Sequence, residues 1–180
     1  MKGTDILKPY SAVVVDSDEA TRRIMVAILR GFGLSGVYAT PSAERAKELI
    51  AGGRVDLAIM DRFLENSEPF GLLSDIRWSK DFPKRDIPII ICTGYTLVDE
   101  IFEARDNGAD EIIAKPVDVK QALKKIGMAL FERRPFVDSV VYAGPCRRRR
   151  RSQFTGDDRR RVGKKQLDQR DIDKVMGYKK

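Results

Sequence analysis

The fold is decided by the stretch VVVDSDEA, which spans residues 13–20. Three consecutive valines without polar alternation are typical of a parallel strand that is buried on both faces of its sheet. Asp16, Ser17, Asp18 and Glu19 follow at once, so negative charge gathers where that strand ends. Carboxylates this close repel one another unless a cation lies among them. The stretch therefore predicts a buried strand, beginning at Ala12, that leads into a charged site.

Four further apolar runs follow along the chain, and stretches with helical periodicity separate them. The runs are Gly36–Ala39, Val55–Met60, Ile87–Cys92 and Glu111–Ala114. The helical stretches are Ala20–Phe32, Ser42–Ile50, Phe70–Trp78, Val98–Asn107 and Val119–Arg133. Regular alternation of strand and helix favours right-handed crossovers and a doubly wound sheet. We therefore predict an α/β, flavodoxin-like fold, with a five-stranded parallel sheet in the order 2-1-3-4-5 and helices on both faces.

Local signals mark where several of the predicted helices begin and end. Ser42 and Asp118 are suitable N-cap residues, and Gly33 is a suitable stop for the first helix. In the first helix, periodicity predicts one buried face formed by Ile24, Ala27, Ile28 and Phe32.

Polar residues follow the predicted strands at the edge where a doubly wound sheet binds its ligands. Asp16, Asp61, Thr93 and Lys115 each come directly after an apolar run. Oxygen ligands favour a hard cation such as Mg²⁺, and an aspartate can act as a nucleophile toward phosphorus. A lysine and a hydroxyl can stabilise the oxygens of a phosphoryl group. These four residues therefore predict a site that accepts a phosphoryl group. The sequence contains no histidine, which excludes histidine-based catalysis and histidine-ligated metals.

The sequence resembles the receiver domains of two-component response regulators. The matching pieces are VVVDSDEATRRIM, DLAIMD, IPIIICTGYT and NGADEIIAKP, in the order and spacing of that family. The resemblance implies that Asp61 accepts the phosphoryl group, with Thr93 as the switch hydroxyl and Lys115 as its partner. It implies Mg²⁺ held by Asp16, Asp61 and the backbone carbonyl of Phe63, and a Lys115–Pro116 bond that is commonly cis.

Several positions depart from the family pattern. Ser17 stands where the family has a second acid, and Asp18 is a further candidate metal ligand. Ile112 stands at a switch position that is often aromatic, and Tyr95 is a candidate substitute. Arg62, after the acceptor aspartate, is expected to be either solvated surface or a residue that leans over the site.

Charge divides the chain into a near-neutral body and a basic tail. From Gly144 onward there are 14 lysine and arginine residues against 5 acidic ones, whereas the rest has 20 against 22. We predict an N-terminal arm over residues 1–10, a receiver domain over 11–134 and a flexible basic tail over 135–180. Such asymmetry is typical of a globular unit with an interaction arm.

The tail allows three interpretations. It is a solubilising segment, a peptide that docks on its own receiver or on a partner protein, or a nucleic-acid contact. A motif of aromatic, glycine and arginine triplet recurs twelve residues apart, at Tyr142 and Phe154. Four apolar residues can form a short amphipathic helix: Leu167, Ile172, Val175 and Met176.

The function that we predict is that of a stand-alone response regulator. A sensor histidine kinase or phosphotransfer protein phosphorylates it, and it signals through a downstream protein, by a face around the fourth helix, fifth strand and fifth helix. It is a phosphoacceptor that assists its own phosphorylation and dephosphorylation, not an enzyme. The alternatives are a pseudo-receiver scaffold and a nucleic-acid binder. No apolar run approaches the roughly 20 residues of a membrane span, and no secretory signal is visible, so we expect a cytoplasmic protein.

Overall fold

The computed structural model describes residues 6–65, 67–94 and 97–148, together with Gln169 and Ile172. Five strands form one parallel sheet in the order β2-β1-β3-β4-β5. The strands are β1 Ser11–Val15, β2 Gly36–Thr40, β3 Leu57–Met60, β4 Ile89–Thr93 and β5 Glu111–Ala114. The helices are α1 Glu19–Gly31, α2 Ala43–Ala51, α3 Gly71–Trp78, α4 Val98–Asp106 and α5 Val119–Phe131. The predicted flavodoxin-like fold and strand order are confirmed.

Strands β1, β3 and β4 are buried on both faces, because helices cover the two sides of the sheet to which successive strand residues point. Val13 and Val15 pack with α2, α3 and α4 in one hydrophobic cluster. Val14 packs on the other face, with α1 and α5. Cys92 belongs to that second cluster, and burial raises the pKa of its thiol to about 12. This two-sided burial is why the strands read as continuous apolar runs in the sequence.

Side-chain caps fix the starts of α1, where Asp18 is the N-cap, and of α2 and α5. Ser42 accepts a hydrogen bond from Arg45 N at 3.1 Å, and Asp118 accepts one from Gln121 N at 2.8 Å, so both predicted caps are confirmed. The predicted face of α1 was partly wrong. Met25 and Leu29 are buried, whereas Ile24 is exposed. The contact with the sheet lies one residue further along the helix than the pattern of isoleucines suggested.

The predicted flexible tail does not begin at residue 135. Strands β6 Phe136–Ser139 and β7 Tyr142–Pro145 form an antiparallel hairpin that contacts α3. Gly108 and Gly144 meet backbone to backbone, since a Cβ on Gly144 would lie 2.7 Å from the Cα of Gly108. The first copy of the aromatic and glycine motif is therefore part of the folded body. The second copy, at Phe154, lies outside the described residues, as does most of the basic tail.

A fully buried arginine on α3, Arg77, connects the amino-terminal ends of β4 and β5. Arg77 donates to the carbonyls of Gly108 at 3.0 Å and Ile87 at 2.9 Å. It also pairs with the carboxylate of Asp110 at 2.9 Å, and it donates to the carbonyl of Arg85. The guanidinium thus satisfies four acceptors at the amino-terminal ends of β4 and β5.

No helix within the described ranges combines the length and apolar character that crossing a membrane requires.

We expect Arg77→Met to lower the free energy of unfolding by about 3–5 kcal/mol, because Asp110 loses its buried cation and the carbonyls of Gly108 and Ile87 lose their donor. The matched control is Arg23→Met. Arg23 pairs with Glu19 on the surface of α1, with 79% of its side chain exposed, and its loss should cost less than about 1 kcal/mol. Urea unfolding of both variants measures the difference. Equal losses would contradict a structural role for the buried arginine.

Candidate functional site

Three of the predicted site residues meet at the carboxyl edge of the sheet. Asp16 follows β1, Asp61 follows β3 and Lys115 follows β5. The Lys115 ammonium donates to Asp16 Oδ2 at 2.7 Å and also to Asp61 Oδ2. Because β1 and β3 are parallel neighbours, the residues after them leave the sheet side by side. One cation therefore lies between the two carboxylates that the sequence places at the strand ends.

Backbone amides orient the remaining oxygen of each carboxylate. Asp16 Oδ1 accepts from Asp18 N at 2.9 Å, and Asp61 Oδ1 accepts from Phe63 N at 3.3 Å. Both bonds span two residues, as in an Asx-turn. Each acidic side chain is thus fixed by its own loop on one side and by Lys115 on the other.

Lys115 is half-buried, and its surroundings act on its pKa in two directions. Burial lowers the pKa of the ammonium as the largest single cause. The hydrogen bonds to Asp16 and Asp61, together with the charges of those carboxylates, outweigh burial and raise the pKa above its ordinary value. Lysine therefore stays charged, and the charge offsets the repulsion between the two aspartates.

Thr93 ends β4 and is joined to Lys115 through the backbone. Its carbonyl accepts from Lys115 N at 2.9 Å, and its partner in the β4–β5 register is Ala114. Thr93 is buried, and the Lys115–Pro116 bond is cis, as the family resemblance implied. Thr93 is thus hydrogen-bonded to Lys115 through the backbone and lies beside Ala114 in the sheet.

Ser17 and Asp18 have contacts of their own. Ser17 Oγ accepts from Glu65 N at 3.2 Å, which ties the loop after β1 to the loop after β3. Asp18 Oδ2 accepts from the backbone N at 2.7 Å and the hydroxyl of Thr21 at 2.6 Å. Both bonds lower the pKa of Asp18, and the bond from the Thr21 hydroxyl has the larger effect. One oxygen of Asp18 therefore serves the start of α1.

Sequence reasoning missed Arg22 as a neighbour of the site. Its guanidinium donates to the carbonyls of Asp16 at 2.6 Å and Ser17 at 2.9 Å. The signal available was its place one turn into the helix that follows the acidic stretch. Arg22 clamps the backbone of the loop that carries Asp16.

Arg62 is neither solvated nor folded over the carboxylates. It pairs with Glu100 at 2.7 Å and Glu103 at 2.8 Å, both on α4, and its side chain is 10% exposed. Its guanidinium also lies 5.0 Å from the ring centres of Phe63 and Phe70. The residue after Asp61 is thereby linked to α4.

Of the two candidates for the switch position, Ile112 and Tyr95, only Ile112 lies within the described residues. Ile112 is fully buried and points into the cluster that holds α4. Tyr95 lies outside the described residues. Roles of Thr93 and Ile112 in switching stay predictions.

Metal-binding side chains are few at this edge. Across residues 6–65, 67–94 and 97–148, no three or more histidine, cysteine, aspartate or glutamate side chains form a group able to hold a metal ion. Asp16 and Asp61 are the two carboxylates that face each other, and Ser17 is neutral. Carboxylate oxygens are ligands that suit Mg²⁺, and this edge has one carboxylate fewer than the family pattern.

Comparison with known protein families identifies one matching model. It is that of the response regulator receiver domain, and it matches residues 12–127. Among curated proteins, the heme response regulator HssR of Staphylococcus aureus (strain bovine RF122 / ET3-1) is 28% identical over 118 residues. That alignment covers 66% of this chain and 50% of the relative. The chain thus spans about half the length of the curated relatives it matches.

Solved structures show the same fold. A putative response regulator from Chloroflexus aurantiacus J-10-fl has a TM-score of 0.61 and 24% identity, and the match covers 68% of this chain and 98% of that one. The receiver domain of the histidine kinase CKI1 from Arabidopsis thaliana, complexed with Mg²⁺ and BeF₃⁻, has a TM-score of 0.61 and 20% identity. The match to CKI1 covers 71% of this chain and 93% of that one.

The raised pKa of Lys115 predicts a pH dependence of stability. The ammonium stabilises the fold at pH values below its ordinary pKa of 10.5, and that contribution is lost as the pH rises through the higher folded-state value. Lys115→Met should therefore cost about 1 kcal/mol at pH 8, allowing for its partial exposure. The difference from the unaltered chain should shrink as the pH rises above 10.5. Urea unfolding across this range measures it, with the exposed Lys8→Met as control; a difference that does not change with pH contradicts the prediction.

Proposed function

The chain belongs to the response regulator receiver family, and we propose that Asp61 accepts a phosphoryl group in a Mg²⁺-dependent reaction. The donor is the phosphohistidine of a sensor histidine kinase or phosphotransfer protein, with the cytoplasm as the expected location. The observation that carries the proposal is the placement of Asp61 beside Asp16 under one lysine ammonium. This arrangement supplies a nucleophile, a metal-binding partner and a cation at a single edge of the sheet.

Each residue has a defined part in the proposed transfer. A carboxylate oxygen of Asp61 bonds to phosphorus while the phosphorus–nitrogen bond of the donor breaks, and the donor imidazole keeps the electron pair and takes up a proton. Lys115 stabilises a phosphoryl oxygen, and the Thr93 hydroxyl donates to another. The chain assists its own phosphorylation and dephosphorylation but turns over no other substrate.

The residues present fit Mg²⁺, although the set of ligands carries one negative charge fewer than the family pattern. Asp16, Asp61 and the carbonyl of Phe63 would hold the ion, since carboxylate and carbonyl oxygens are its usual protein ligands. Bound there, it would neutralise charge on the phosphoryl oxygens. Asp18 is a weaker candidate than these three because its Oδ2 already caps α1.

The response that follows phosphorylation is proposed to reach a downstream protein through α4, β5 and α5. Thr93 is joined to β5 by its register with Ala114, and Arg62 joins the residue after Asp61 to α4. We therefore propose that new charge at Asp61 affects this face through two sets of contacts, one by Thr93 and one by Arg62. A nucleic-acid role would depend on tail residues outside the described ranges.

Phosphorylation is tested by incubating the full chain with acetyl phosphate and Mg²⁺ and measuring its intact mass. We expect an adduct of roughly 80 Da, the mass of a phosphoryl group. Asp61→Asn should abolish it, because an amide is not a nucleophile of this kind. Asp99→Asn, at an exposed position in the first turn of α4, is the control and should keep it. Absence of the adduct, or its persistence in Asp61→Asn, would exclude the proposed role of Asp61.

Metal binding is tested at Ser17. Restoring an acid with Ser17→Asp should lower the dissociation constant for Mg²⁺ by about tenfold, because affinity rises with the number of charged ligands. Ser17→Asn, which adds an oxygen ligand without charge, should leave the constant nearly unchanged. Isothermal titration calorimetry of the three proteins makes the comparison. Unchanged affinity in Ser17→Asp would mean that the position does not face the metal.

A further inference from the structure

The outer edge of β5 offers backbone groups for pairing. β5 is the last strand in the order of the sheet and pairs with β4 along its inner side. The Ile112 carbonyl and the Ala114 N–H point away from β4, toward the outer edge. Such groups are a template on which another strand or peptide pairs.

The side-chain amide of Gln169 occupies this edge. Gln169 Oε1 accepts from Ala114 N at 3.0 Å, and its Nε2 donates to the Ile112 carbonyl at 3.4 Å. A primary amide carries one acceptor and a donor group, the same pair that a residue of a neighbouring strand presents. A residue 55 positions away from Ala114 in sequence thus takes the place of a neighbouring strand.

Ile172 provides an apolar anchor beside that amide. It is fully buried and belongs to the hydrophobic cluster that contains Ile112, Val98 and Ile101. Gln169 and Ile172 both have helical backbone and stand three residues apart, the spacing that puts two side chains on one face of a helix. The two side chains therefore contact the edge of β5 and the apolar surface next to α4.

We propose that the C-terminal segment carrying Gln169 and Ile172 is an intramolecular ligand that closes the β5 edge. A partner that binds by adding an extended strand to β5 must displace this segment first. The 20 residues between Arg148 and Gln169 can span about 70 Å when extended, which is enough to reach the edge within one molecule. The segment thereby controls access to part of the face through which we propose that the chain signals.

Binding in trans tests the proposal. The probe is a fluorescein-labelled peptide of residues 163–177, GKKQLDQRDIDKVMG, and the readout is fluorescence anisotropy. The full chain with Gln169→Glu and Ile172→Asp should bind it at least about tenfold more tightly than the unaltered chain, because the segment in cis competes at a high effective concentration. Gln169→Glu keeps the size of the side chain but replaces the donor to Ile112 with an oxygen.

Two controls accompany the measurement. A peptide with the same two changes should bind neither chain, and a full chain with Val141→Asp, at an exposed position of the hairpin turn, should behave as the unaltered chain does. Gln169→Glu alone serves if the double variant does not fold. Equal binding to the altered and unaltered chains, or no binding to either, overturns the proposal. Hydrogen exchange of the Ala114 amide that depends on protein concentration would assign the edge to a second copy and overturn the intramolecular claim.

The edge also lies one residue from the phosphorylation site, and this extension rests on the proposed function. Ala114 precedes Lys115 and pairs with Thr93. A phosphoryl group on Asp61 would attract Lys115 and Thr93, the two neighbours of Ala114, and a shift of either would disturb the bond from Ala114 N to Gln169 Oε1. We infer that phosphorylation weakens docking of the segment.

The coupling is measured on the doubly substituted chain, with and without acetyl phosphate and Mg²⁺. Peptide affinity should fall about fivefold in the phosphorylated sample, a usual size for coupling between two sites. Intact mass is read from the same sample. An adduct with unchanged affinity overturns the coupling, whereas absence of an adduct overturns the proposed function and leaves the docking result intact.

Discussion

The site depends on the ammonium of Lys115, which lies between the carboxylates of Asp16 and Asp61. Two acids at neighbouring strand ends would otherwise repel each other in a half-buried setting. Lys115 comes from β5, two strands away from β3 in the sheet order. The cation therefore joins three strand ends across the carboxyl edge, and Asp61 is paired directly with the residue that follows β5.

The loops around this ion cluster are tied to each other and to the helices. Ser17 connects the loops after β1 and β3, Arg22 holds the backbone of the first of them, and Arg62 connects the second to α4. The neutral serine thus has a structural partner where the family pattern has an acid. Its consequence for Mg²⁺ is a matter of charge, since the hydroxyl cannot offset a divalent cation as a carboxylate does.

The chain beyond α5 contacts the body at one end of the sheet and at one outer edge. At the amino-terminal end, the hairpin of β6 and β7 packs on α3, next to the buried Arg77, and brings Gly144 against Gly108. At the outer edge, Gln169 and Ile172 contact β5. The basic composition of this part of the sequence indicated a solvated tail. Its few apolar and amide side chains nevertheless make specific contacts with the body.

Much of the fold could be predicted from the sequence because strand burial and helix capping are local properties. Apolar runs such as Val13–Val15 show two-sided burial, and Ser42 and Asp118 mark helix starts without reference to distant residues. Asp16, Asp61 and Lys115 could be brought together by the rule that parallel strands end at one edge. The buried face of α1 could not be predicted correctly from the sequence, because the choice between Ile24 and Met25 depends on how the helix is rotated against the sheet.

By itself the sequence determined the alternation of strands and helices and the convergence of the acids and the lysine, because periodicity and chain order carry that information. The strand order and the missing second carboxylate came from its resemblance to a known fold and family. Only the tertiary structure decided the partners of Arg62, Arg77 and Gln169. A long polar side chain can reach several acceptors, and the one it meets depends on which distant backbone or carboxylate group is left facing it once the sheet and helices have packed.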